Sequence, residues 1–196
     1  MKYVAMIRGI GPENPNMRGE KLRWAFEQMG FTNVRSFLTS GNVLFESDTT
    51  DTTQLEKTAE TALPRLLDFE REVLVRSQAD LQAIVDADPF KGLTHQNVGK
   101  TYLTVTFFKN RISTPDTRGI GPGIRYFDTS EFVSLPHRPE GKSFTLLSMT
   151  HGALCCVVDL SAGRTPDLMV WLDRHFTKSI TTRTYATVTR LLSKMA

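Results

Sequence analysis

The chain has 196 residues, 40% hydrophobic and 23% charged, with 24 basic against 21 acidic side chains and a formal net charge of +3. That length can bury a core, and that apolar content excludes a disordered polymer; no run reaches the roughly 20 apolar residues of a membrane span. The small basic excess permits an anionic or nucleic-acid partner without demanding one.

Residues 2–7 (KYVAMI) are an apolar run of strand length, read as a first strand and not as a secretory signal. After a Gly/Pro/Asn loop, Leu22, Ala25, Phe26 and Met29 recur at helical spacing and Gly30 supplies a stop. NVRSFLTSGNVLFES then predicts two antiparallel strands joined at Ser40-Gly41-Asn42. A helix over 52–69 places Leu55, Ala59, Ala62, Leu63, Leu66 and Leu67 on one face, with Pro64 expected to kink or break it. EREVLVR follows as a strand. The order is βαββαβ, the ferredoxin-like pattern, over residues 1–76, with two helices as crossovers for parallel pairings.

Residues 77–196 form a second α+β subdomain, opening with a linking helix over 77–87. Ser77 and Asp80 there have capping-box spacing, and the helix stops before Pro89. Strands are expected at 101–108, 124–128, 131–135, 143–149 and 153–160, with a turn at Thr150-His151-Gly152. Thr165 and Pro166 read as N-cap and first residue of a helix reaching Phe176. A final helix covers 185–195. The fold class is α+β, in two packed α+β subdomains.

The string RGIGP occurs twice, at 8–12 directly after the first strand and at 118–122 well beyond its nearest strand. The differing contexts favour shared turn vocabulary over a domain repeat. Cys155 and Cys156 are adjacent, so on a strand they face apart and form no ordinary disulfide. Two reduced, inert thiols and no disulfide framework predict a cytoplasmic protein.

Three segments are candidates for chemistry. Thr181, Thr182 and Arg183 precede or open the last helix, where free N–H groups and the macrodipole favour an anion and a guanidinium adds charge. Arg8 leaves the carboxyl end of the first strand, a place that faces ligands in open sheets. Ser40 and Asn42 flank Gly41 at the hairpin. Each also has a plain structural explanation, as cap, loop anchor or turn.

Neither glycine string fits a dinucleotide fingerprint, and there is no P-loop or serine elbow. His95, His137, His151 and His175 lack metal spacing. No metal and no cofactor are expected, and no reaction is assigned.

YVAMIRGI, FTNVRSFLTSGNVLFES and ITTRTYATVTRLL together resemble the bacterial family called domain of unknown function 1697. That family opens with a strand running into Arg-Gly-Ile-Asn, continues through a Ser-Gly-Asn hairpin, and closes with Thr-Arg-Asn-Trp-Asn-Thr-Val. The resemblance implies two α+β subdomains, the first ferredoxin-like, and implies no function. Here Gly11 stands for the family's Asn, PENPN replaces its Gly/Lys-rich loop, and Thr184-Tyr185-Ala186 replaces Asn-Trp-Asn. The motif positions kept are Arg8, Ser40, Asn42 and Arg183.

The expectation is a small anionic ligand, phosphate- or nucleotide-like, held between the subdomains by Arg8, Ser40, Asn42, Thr181, Thr182 and Arg183, with Arg8 and Arg183 approaching one site. The alternatives are a nucleic-acid-binding module, disfavoured because NVLFES lacks stacking aromatics, and a protein-interaction scaffold without a small ligand.

Overall fold

The computed structural model describes the chain except residues 12, 39–40, 95–100, 110–134, 151, 162–166 and 177–178. Among the described residues it has five helices and two four-stranded antiparallel sheets, an α+β fold. Several sequence expectations lie outside that set: Ser40, the second RGIGP, the strands at 124–128 and 131–134, His151 of the turn, and the helix start at Thr165 and Pro166. The chain divides into two units, Met1–Gln82 with Arg190–Ala196, and Ala83–Thr189.

The first unit runs β1 (Lys2–Ile7), a short 3-10 turn (Pro15–Met17), α1 (Gly19–Gln28), β2 (Thr32–Phe37), β3 (Asn42–Glu46), α2 (Thr52–Leu67) and β4 (Val73–Ser77). The sheet order is β2-β3-β1-β4, which together with the chain order is that expected of a ferredoxin-like unit. Among the described residues no strand pair of this sheet is parallel, contrary to expectation. β3 lies between β1 and β2, and β1 lies between β3 and β4, so each helical crossover skips one strand. The helices bury Leu22, Ala25, Phe26, Leu55, Ala59, Leu63 and Leu67 with Tyr3, Ala5, Ile7, Val43, Phe45, Val73 and Val75 of the sheet. On the other face Val4, Met6, Leu44 and Leu74 are buried as well.

Pro64 does not break α2. The helix continues to Leu67, with Asp68 in the left-handed region at φ 55° as its cap. Proline here removes one N–H near the end of the helix, where few turns depend on it. Asp51 caps the other end, its carboxylate accepting from the N–H groups of Thr53 and Gln54 at 2.9 and 3.3 Å.

The linking helix α3 (Gln78–Asp86) follows β4 directly, and the capping box forms: Ser77 Oγ accepts from Asp80 N at 3.1 Å, while Ser77 N donates to Asp80 Oδ2 at 3.0 Å. The second unit then has β5 (Thr101–Phe108), β6 (Phe144–Thr150), β7 (Ala153–Asp159), α4 (Leu168–His175), β8 (Ile180–Thr184) and the start of α5 (Tyr185–Met195). Its sheet order is β6-β7-β5-β8. α4 packs Leu168, Trp171 and Leu172 onto Phe108, Phe144, Leu146, Leu154, Cys156, Val158 and Ile180.

The described strands of the two sheets share one spatial order: in each, the third strand lies between the second and the first, and the fourth lies on the first strand's other side. In each, a helix joins the third described strand to the fourth, and the fourth runs straight into another helix. The second RGIGP lies outside the described residues.

Candidate functional site

In the first unit the structure brings the Arg-Gly-Ile and Gly-Asn motifs together. The backbone N–H of Ile7 donates to the carbonyl of Gly41 at 2.8 Å, and Met6 pairs with Asn42 across the sheet. Gly41 has φ 70°, and a Cβ there would come within 2.4 Å of Ile10 Cγ1. Glycine is therefore required both by the turn and by the close seat of Ile10. Asn42 is not at the hairpin tip, as expected, but is the first residue of β3. It is 1% exposed and donates through Nδ2 to the Phe37 carbonyl at 3.2 Å. The pairing of Phe37 with Asn42 makes the tip residues 38–41.

Arg8 is half-buried just beyond β1, its N–H donating to Glu72 O at 3.1 Å. Gly9, at φ 64°, turns the chain, and its carbonyl accepts from Arg71 Nε at 3.2 Å. A Cβ at Gly11 would meet the Glu13 carboxylate, the mobile end of an exposed side chain.

Beside this loop a cleft of about 100 Å³ opens at the start of α1, lined by Met17, Arg18, Gly19, Ser36, Leu38 and Asn42 among others. Arg18 holds the N-cap position and makes no side-chain capping bond. Its helix thus differs from α2, where Asp51 fills that role. The first N–H groups of a helix have no intrahelical acceptor, and they carry the positive end of its dipole. Gly19 allows Ser36 to come close: a Cβ there would lie 2.7 Å from Ser36 Oγ. Sequence reasoning missed Arg18, Gly19 and Ser36. The available signal was the capping position itself, which holds Arg where Ser, Thr, Asp or Asn is usual.

In the second unit Thr181, Thr182 and Arg183 precede the last helix, as strand residues rather than as its opening turn. They form β8, paired antiparallel with β5. Arg183 Nη1 donates to Thr181 Oγ1 at 2.8 Å and to the carbonyl of Thr182 at 3.0 Å. Burial pushes the guanidinium down to about 10, so it stays charged at neutral pH. The hydroxyls of Thr182 and Thr106 share a hydrogen bond of 2.9 Å. Thr184 Oγ1 caps α5 by accepting from Thr187 N at 3.2 Å. Tyr185, in place of the family's Trp, packs its ring 4.8 Å from that of Phe90.

Arg183 has a counterpart in the first unit. Arg76 likewise precedes a capping residue, Ser77, and its Nη1 donates to the carbonyl before it, Val75 O, at 2.7 Å. Arg76 is 1% exposed and lies 3.6 Å from Glu56 of α2, itself 3% exposed.

Cys155 and Cys156 are free and buried on opposite faces of β7. Burial pushes Cys155 up to about 12 against a smaller pull from the Ser148 hydroxyl, and it raises Cys156 too. Among the described residues no cluster of three His, Cys, Asp or Glu could hold a metal, and no helix is long and apolar enough to cross a membrane.

The family model described as "Protein of unknown function (DUF1697)" matches residues 1–123. The chain belongs to this family. The match contains β1, both first-unit motifs and β5. Among solved structures, the conserved bacterial protein SP0830 from Streptococcus pneumoniae is similar at 19% identity and a TM-score of 0.68, covering 99% of this chain and 97% of its own. At that identity the likeness concerns the fold. No curated protein matches the chain.

Proposed function

We propose that this DUF1697 protein binds a small anion of phosphoryl or carboxylate size in its first unit, at the start of α1. The observation that supports this is the uncapped helix start with Arg18 at its N-cap, opening on a cleft bordered by the Ser36 hydroxyl and the buried Asn42. Backbone N–H groups, a hydroxyl and a guanidinium are the donor set that recognises such an anion. Arg8 belongs to the adjoining loop and is proposed to contribute charge at its rim.

Size narrows the ligand. The cleft holds about 100 Å³, against the roughly 300–1,000 Å³ of a site that encloses a drug-sized molecule. A nucleotide would therefore seat only a phosphate here. A nucleic-acid-binding sheet is disfavoured, because stacking needs exposed aromatic rings and Tyr3 and Phe45 of this sheet are buried.

Calorimetry with inorganic phosphate and a panel of phosphomonoesters tests the reading. Arg18→Ala should weaken binding by about 1.5–3 kcal/mol, the range for a hydrogen bond to a charged group, and Gly19→Ala should crowd the cleft. Absence of any binding, or unchanged affinity in Arg18→Ala, rejects it. For Thr181, Thr182 and Arg183 a ligand role requires Arg183→Ala to weaken phosphate binding comparably; their bonds within β8 favour holding the strand.

A further inference from the structure

A second surface of the first unit carries a different kind of recognition. An open groove of about 670 Å³ runs along α2 from Gln54 to Leu66, with Gln28 and Met29 at the end of α1 on its border. Its floor contains Met29, Ala62 and Leu66, all half-buried. Its charged lining residues are Lys57 and Arg65, and no carboxylate lines it. The reason lies in α2 itself. Glu56 and Glu60 turn to β4, where Oε1 of each accepts a backbone N–H, from Val75 and Val73 respectively, at 2.9 Å. On α1, Glu27 pairs with Arg23 at 3.5 Å and does not line the groove. Glu56, Glu60 and Glu27 are thus engaged elsewhere, and the groove is left cationic over an apolar floor. Trp24, one turn from the groove residue Gln28, is 42% exposed. Exposed Trp is uncommon on a surface with nothing to meet and is enriched at interface centres.

We propose that this groove is a docking surface for an acidic amphipathic helix of another protein. A helix laid along another is a standard packing solution, and apolar anchors at i, i+3, i+4 and i+7 would meet Met29, Ala62 and Leu66. Acidic residues flanking those anchors would meet Lys57 and Arg65. The recessed aliphatic floor favours a helix over a nucleic acid, and two cations would neutralise too few phosphates for firm polyanion binding.

The probe is a fluorescein-labelled helical peptide of about 18 residues, long enough to form a helix, with Leu at the anchor positions and Glu elsewhere. A matched peptide has Lys for every Glu. The full chain should bind the acidic peptide saturably, with affinity falling as salt rises. The double variant Lys57→Glu/Arg65→Glu should weaken it by about tenfold or more, as expected for reversing two rim charges. Trp24→Ala should weaken it less, and Asp173→Lys on α4 should not. Circular dichroism checks that each variant is folded. The proposal is overturned if the acidic peptide does not bind, if the lysine peptide binds as well, if the charge-reversed groove keeps its affinity, or if single-stranded RNA displaces the peptide and binds more tightly. Because neither Arg18 nor the α1 cleft enters this test, its outcome is independent of the anion site.

Discussion

The corner from β4 into α3 and the corner from β8 into α5 are two solutions to one problem. Arg76-Ser77-Gln78-Ala79-Asp80 and Arg183-Thr184-Tyr185-Ala186-Thr187 occupy the same place in their sheets, each arginine bonding the carbonyl before it and each hydroxyl capping the helix that follows. They differ in the depth of the charge. Arg76 is buried and sits beside a buried carboxylate, Glu56. Arg183 is partly buried and engages the hydroxyl of Thr181. A guanidinium removed from water needs an opposite charge to offset its lost hydration, and Glu56 supplies it at Arg76. The same Glu56 also satisfies an N–H of β4, which is an edge strand, so the pair protects an edge as well as a charge.

The sharpest break of this comparison is Glu56→Ala. It should destabilise by about 3–5 kcal/mol, the penalty for leaving a buried charge uncompensated, seen as a lower urea midpoint. Combining it with Arg76→Met should restore much of the loss; if the single variant costs little, the two corners do not differ as described. Thr181→Val removes a hydroxyl acceptor from Arg183 and should cost about 1.5 kcal/mol, the lower end for a bond to a charged group. Ser77→Ala and Thr184→Ala should each cost about 1 kcal/mol as lost caps. Near-equal losses would sharpen the equivalence, and a much larger loss at one would separate the corners again.

Two smaller effects concern the second unit alone. Cys155 and Cys156 should resist thiol reagents at neutral pH in the native state, since burial raises both and leaves almost no thiolate. Rapid labelling of either would contradict the buried β7 described here. Asp167, beside the start of α4, is pushed up by burial, but the Ser143 hydroxyl and the Lys142 ammonium outweigh that and hold it below the usual carboxylate range. A depressed acid contributes stability at pH above its unfolded value, near 3.9, and loses it as pH falls through its folded value. Asp167→Asn should therefore lower stability slightly at neutral pH and leave it nearly unchanged below the folded value, flattening the fall of the stability curve towards acid pH.

Much of the first unit was legible because its signals are local. Leu22, Ala25 and Phe26 recur at the helical period, Ser77 and Asp80 have cap spacing, and the motifs of the hairpin and β1 stand intact. β8 was not legible: Thr181-Thr182-Arg183 carries hydroxyls that serve equally as caps and as strand residues, and its pairing partner, β5, lies more than seventy positions away. Asn42 was misplaced by a similar ambiguity, since Asn suits a turn as readily as a strand whose side chain closes it.

From its own residues the sequence determined the class, the order of elements in the first half, the inert cysteines' opposite facing and the family motifs, because helical period, alternation and capping act within a few residues of the chain. Tertiary structure alone decided which strands are neighbours, that the sheet order recurs in the second half, that Glu56 and Glu60 serve β4, and that Arg18 rather than a capping side chain stands at the start of α1. Those outcomes depend on pairings between distant segments, where burial and hydrogen-bond satisfaction choose among placements that local propensity leaves equal.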